Sequence, residues 1–202
     1  TLSTGAGPGL GAEPARQAAA LGHDLALCAR RTERLDELSA EITSSYPGRA
    51  VRTYALDVTD PDAVHHVFHQ AEEDADGGLD RIVVNAGLGK GRKIGSGQPE
   101  ANRETATTNA LGALTQAEAA MEIFRAKNTG HLVLVSSVTA LRGNRKAITT
   151  YGATQAFVAH MGEALQSELL ASGRPLDVTV LLLGYIRSDM HRKAAQTTRV
   201  SV

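Results

Sequence analysis

Short aliphatic runs alternate with longer helical patterns along the whole chain, and this alternation restricts the fold more than any other feature. The runs lie at 25–28, 51–55, 82–85, 132–136 and 178–183, with a stub at 1–3. Helical patterns lie near 10–21, 33–44, 61–74, 100–127 and 150–171. The runs are mostly continuous rather than alternating with polar residues, which suits strands buried on both faces. Strand, helix, strand, repeated, demands a parallel sheet with right-handed crossovers. The expected fold class is therefore α/β, a doubly wound parallel sheet with helices on both faces. Any ligand crevice would lie beyond the C-terminal strand ends. A length of 202 residues fits a single domain over 1–202. Aromatic residues make up 3% and Trp is absent, so the core must be built from Leu, Val, Ile and Ala.

Charge and cysteine content narrow the partners. Lys plus Arg number 21 against 22 for Asp plus Glu, a balance with no footprint for nucleic acid or an anionic membrane. No apolar run approaches the ~20 residues of a membrane span. The lone Cys28 excludes an internal disulfide and fits a reducing, cytoplasmic setting. No signal-peptide pattern precedes the first glycines. Residues 1–3 are short for a first strand, where about five or six residues are usual. A polar tail follows Met190, so a natural chain longer at both ends is expected. The stretch 87–97 carries five glycines and three basic residues and reads as a mobile loop.

The first strand-to-helix turn reads Thr4-Gly5-Ala6-Gly7-Pro8-Gly9-Leu10-Gly11. Glycines here let the chain turn sharply, let a phosphate approach the backbone and let the helix pack closely on the sheet. The helix N-terminus then offers free N–H groups to an anion. Gly5, Gly7, Gly9, Leu10 and Gly11 are accordingly candidates for holding a dinucleotide pyrophosphate. Pro8 removes one such N–H. Pro14 falls inside the helical pattern, so the helix either starts late or is kinked.

Several motifs, in order, give the chain its specific resemblance. Thr4-Gly5-x-x-x-Gly9-x-Gly11 is followed by Asp57-Val58 after the third strand and by Asn85-Ala86-Gly87 after the fourth. Asn109 then falls mid-helix, Ser137 follows the fifth strand, Tyr151 comes next, and Gly184 follows the sixth strand. The sequence resembles the short-chain dehydrogenase/reductase family over nearly its whole length. The resemblance implies a Rossmann fold binding a nicotinamide cofactor and an enzyme interconverting a small carbonyl and an alcohol. It implies catalytic roles for Ser137, Tyr151 and Asn109. It also implies cofactor contacts from Asp57 and Val58 at the adenine, and from Asn85, Ala86, Gly87, Tyr151 and Gly184. It suggests a homodimer or homotetramer built on the helices near 100–127 and 150–171. No metal site is expected.

After the second strand, where an NAD-preferring site places an acidic residue, the chain has Ala29-Arg30-Arg31. Arginine suits a 2′-phosphate through charge-assisted, often bidentate bonds. Arg30 is the expected clamp, Arg31 a weaker second, and NADP the expected cofactor.

One residue departs from the family. Four positions after the tyrosine, the family carries a lysine that holds the nicotinamide ribose and lowers the tyrosine pKa. Here that position is Gln155. Glutamine can hydrogen-bond ribose hydroxyls but supplies no charge. Three readings stand. The chain is slow, or binds NADP without turnover as a sensor or partner subunit. Another cation (Lys90, Arg142 or Lys146) replaces the lysine. Or the natural chain has Lys at 155, which would add a tryptic cleavage site detectable by mass spectrometry.

Overall fold

A computed structural model describes residues 1–7, 11–143 and 147–184. The proposed roles of Gly9 and Leu10, the cation Lys146 and the tail from 185 onward lie outside these residues. Six strands form one sheet: β1 (Leu2–Thr4), β2 (Leu25–Ala29), β3 (Val51–Ala55), β4 (Arg81–Val84), β5 (Gly130–Ser137) and β6 (Leu176–Leu183). Their order is β3-β2-β1-β4-β5-β6, and every neighbouring pair is parallel. The helices are α1 (Ala12–Ala20), α2 (Thr32–Ser45), α3 (Pro61–Asp74), α4 (Pro99–Ala106), α5 (Gly112–Lys127) and α6 (Thr149–Ser172). This is the doubly wound Rossmann arrangement expected from the alternation. The strand order reverses between β1 and β4, which opens a crevice above the ends at Thr4 and Val84.

Each sheet face has its own apolar core. On one, Leu25 and Leu27 pack with Ala12, Ala15 and Ala19 of α1 and with Leu35, Leu38 and Ile42 of α2. The alanines let α1 approach the sheet closely. On the other, Leu2, Ile82, Leu132 and Leu134 meet Val64 and Phe68 of α3, Phe124 of α5 and Val158 of α6. Cys28 is fully buried, and desolvation pushes its thiol pKa up.

Three local features depart from or resolve the sequence expectations. Helix α1 begins at Ala12 with Gly11 as N-cap, later than the pattern from Leu10 suggested. Pro14 thus sits in the first turn, where a missing N–H breaks no intrahelical bond. The helix expected over 100–127 is interrupted: α4 runs into a π-helical turn at Thr107–Leu111 before α5. Such turns insert an extra residue and re-aim a side chain, frequently at functional sites. At the start of α3, the Asp60 carboxylate accepts from the Ala63 N–H at 3.1 Å, with Pro61 in the first turn. Asp60 is therefore the N-cap.

The glycine-rich stretch after β4 forms neither helix nor strand over 85–98. It is nevertheless tied down. Arg92 N donates to Asn102 Oδ1 at 2.9 Å, and Lys90 pairs with Glu104 at 2.7 Å. Among the described residues, no helix is long and apolar enough to cross a membrane.

Candidate active site

At the end of β1, Gly5 has φ +63°, a conformation that disfavours any side chain. A Cβ there would stand 2.8 Å from the Ala86 Cα. Gly11 is confined for a different reason: its Cβ would overlap the Gly5 carbonyl and lie 2.9 Å from the Ala6 Cα. The three nearest atoms are all backbone, which cannot swing aside as a flexible side chain would. Gly11→Ala is expected to cost about 1–3 kcal/mol, as overpacking does. In a domain of this size that lowers Tm by several degrees, at roughly 2–4 °C per kcal/mol. An unchanged melting temperature would refute the tight turn.

Helix α1 has no side chain capping its N-terminus, so its first N–H groups remain available to an anion. The turn is laced to the β4 end by Thr4. Its Oγ1 accepts from Asn85 N at 3.1 Å and Ala86 N at 3.2 Å, and donates to Val83 O at 3.4 Å. Asn85 Nδ2 returns bonds to the carbonyls of Thr4 (3.0 Å) and Gly5 (3.3 Å). Asn85 and Ala86 thus hold the glycine turn against the neighbouring strand end. Thr4 was not singled out from sequence as a site residue, although it opens the glycine motif.

Arg30 and Arg31, both exposed, follow β2. The Arg31 Nη2 lies 3.9 Å from where a Gly7 Cβ would stand, so this guanidinium sits over the glycine turn. The Arg30 charge acts on Asp57. The Asp57 carboxyl is held below its ordinary range, first by the Thr59 N–H and further by the Thr59 hydroxyl and the Arg30 charge, against the opposing effect of burial. Val58 is buried, and its carbonyl would stand 2.9 Å from a Cβ on Gly112 of α5.

The π-helical turn aims Asn109 at the loop after β4. Its Oδ1 accepts from Leu88 N at 2.7 Å, and its Nδ2 donates to Leu88 O at 2.9 Å. The same Nδ2 donates to Thr154 Oγ1 at 3.2 Å, and that hydroxyl donates to the Tyr151 carbonyl at 2.8 Å. Asn109 therefore clamps the loop bearing Gly87 to helix α6, with Thr154 as an intermediary. The only sequence signal for Thr154 was its position three residues beyond Tyr151.

Ser137 ends β5 and Tyr151 lies in the first turn of α6. The Ser137 oxygen accepts from Thr139 N at 3.2 Å. Its side chain lies close enough to the Tyr151 oxygen to favour the phenolate. Burial acts the other way and prevails, so the Tyr151 pKa is held above its ordinary value. One turn further along α6, Gln155 is 7% exposed. Ser136 Oγ donates to its backbone carbonyl at 2.8 Å, while its side-chain Oε1 is buried with no hydrogen-bond partner among the described residues. Of the candidate replacement cations, Lys90 is engaged with Glu104 and Arg142 is exposed. Gly184 follows directly on β6 and is exposed.

A glycine cradle at a strand-order reversal, a clamped fourth-strand loop and a Ser–Tyr pair at the fifth strand end now stand together. The family model for short chain dehydrogenase matches residues 1–199. The chain belongs to the short-chain dehydrogenase family. This is a family of oxidoreductases. An uncharacterized oxidoreductase of Mycobacterium tuberculosis is 47% identical over 196 residues, covering 97% of this chain and 76% of that protein. A solved short-chain dehydrogenase from Sphingobium yanoikuyae, in complex with NADPH, superposes with a TM-score of 0.85 at 31% identity, over 96% of this chain and 73% of its own. An alcohol dehydrogenase from the archaeon Thermococcus sibiricus, complexed with 5-hydroxy-NADP, gives 0.82 at 25% identity, over 92% and 77%.

The residues present fit a dinucleotide on two grounds of their own. The Gly11 position excludes even a methyl group beneath a turn that leads into an uncapped helix. The orphaned Gln155 Oε1 is a buried acceptor that needs a donor, and ribose hydroxyls are donors of that kind.

Proposed function

We propose that this chain is an NADP-dependent oxidoreductase that interconverts a small carbonyl and an alcohol. The juxtaposition of the Tyr151 and Ser137 hydroxyls at the mouth of the crevice carries this reading. The glycine turn and the α1 N-terminus would hold the pyrophosphate, and Gln155 and Tyr151 the nicotinamide ribose. Asp57 and Val58 would flank the adenine, with Asn85, Ala86, Gly87 and Gly184 lining the site. When bound, NADPH supplies a hydride. Tyr151 gives a proton from Oη to the developing alkoxide in reduction and takes one back in oxidation. Ser137 donates a hydrogen bond to the same oxygen. Asn109 holds the loop and helix that position them. A cytoplasmic setting fits the buried lone thiol. A second copy of the chain would dock on the groove where Met121 of α5 and Met161 and Leu165 of α6 meet.

The uncharged Gln155 favours a second reading, in which NADP binds without turnover. Fluorescence titration of NADPH, followed by NADPH oxidation against a panel of ketones, separates the two. Binding with turnover supports the first, and tight binding without turnover the second.

The 2′-phosphate preference is tested at Arg30. A charge-assisted hydrogen bond contributes about 1.5–3 kcal/mol. Arg30→Ala is therefore expected to weaken NADPH about tenfold to a hundredfold and to leave NADH affinity unchanged. Equal losses for both cofactors would remove Arg30 from the clamp, and a wild-type preference for NADH would remove NADP from the proposal.

A further inference from the structure

Helix α3 carries two histidines one turn apart, at 65 and 69, and residues spaced by four share a helix face. The opposite face of α3 is fixed by burial of Val64, Val67, Phe68 and Ala71. Helix α5 packs beside it, anchored by buried Ala119, Ala120 and Ile123, and presents Glu122 to the histidine face. The Glu122 Oε2 lies 3.3 Å from His65 Nδ1 and 3.5 Å from His69 Nε2. All three ligand atoms fall within 4.8 Å of one another. No role in cofactor or substrate binding uses these residues.

We infer that His65, His69 and Glu122 form a binding site for a divalent transition cation of the zinc type. Ligand bonds of about 2.0–2.1 Å in tetrahedral geometry place neighbouring ligand atoms about 3.4 Å apart, which matches the two measured edges. The third edge, between the imidazoles, closes by rotation of the exposed His69 and the half-buried His65. Two imidazoles and one carboxylate suit Zn²⁺, Ni²⁺ or Cu²⁺ better than Mg²⁺ or Ca²⁺, which take oxygen ligands. Three protein ligands leave at least one position for water. The cation would bridge α3 and α5 and so stabilise their packing. A histidine–carboxylate ion pair alone produces the same two short distances, and the test must separate it from a metal site.

The test titrates zinc chloride into the full chain by calorimetry and follows Tm in parallel. One equivalent is expected to bind with a Kd on the order of micromolar or tighter, to raise Tm, and to be insensitive to excess magnesium. His69→Ala and Glu122→Gln should each weaken binding at least tenfold and abolish the Tm rise, whereas His66→Ala, on a neighbouring exposed histidine, should not. Circular dichroism and NADPH titration confirm that each variant is folded. Zinc binding undiminished in both His69→Ala and Glu122→Gln would overturn the proposal. Absence of saturable zinc binding would reduce the cluster to an ion pair.

Discussion

Tyr151→Phe is expected to lower NADPH-dependent ketone reduction by about a hundredfold or more, the usual loss when a positioned general acid is removed. The phenyl ring keeps the packing of the first turn of α6 and removes only the Oη that faces Ser137. NADPH affinity should fall far less than turnover, because the pyrophosphate is held elsewhere, by the glycine turn. The readout is therefore a loss in kcat with a small change in cofactor Kd. Turnover unchanged in Tyr151→Phe would exclude Tyr151 as proton donor and leave the chemistry to another group.

Gln155→Lys should act in the opposite direction. Burial holds the Tyr151 pKa above its ordinary value, and the nearby Ser137 only partly offsets it. A cation one helical turn away would stabilise the phenolate. About 2 pK units of such tuning correspond to about 3 kcal/mol, or roughly a hundredfold in rate if the barrier follows. The sign is visible in the pH profile. Alcohol oxidation requires the phenolate as base, so in the chain with Gln155 its rate should still climb with pH beyond the ordinary tyrosine value near ~10. In Gln155→Lys that limb should move to lower pH. Reduction uses the neutral phenol and should stay flat through neutrality in the chain with Gln155. Position 155 is 7% exposed, so the introduced ammonium must find a partner there or neutralise. A Gln155→Lys chain with no gain in rate and no displaced limb would show that residue 155 does not limit proton transfer.

Much of the fold was legible because its determinants are local. Continuous aliphatic runs read as strands, and four-residue spacings as helices. The helical pattern at 61–74 matches α3 to the residue. Glycine at 5 and 11 followed from the demands of a tight turn into a helix, and the structure supplies the atoms responsible, Ala86 at one and Gly5 at the other. The interruption at Thr107–Leu111 left no comparable trace. A π-turn keeps helical dihedrals and helical composition, so periodicity runs through it with only a small phase shift.

The sequence by itself determined the order of strands and helices, the parallel sheet and the family, since each depends on residues close together in the chain or on motifs in fixed order. It also determined the chemistry available at position 155, where an amide replaces a charge. Only the tertiary structure decided what each polar group does. Thr4 meets Asn85 across 81 residues of chain, Asn109 meets Leu88 across 21 and Thr154 across 45. Such pairings are set by which strand ends the crossovers bring together, and no local preference encodes them.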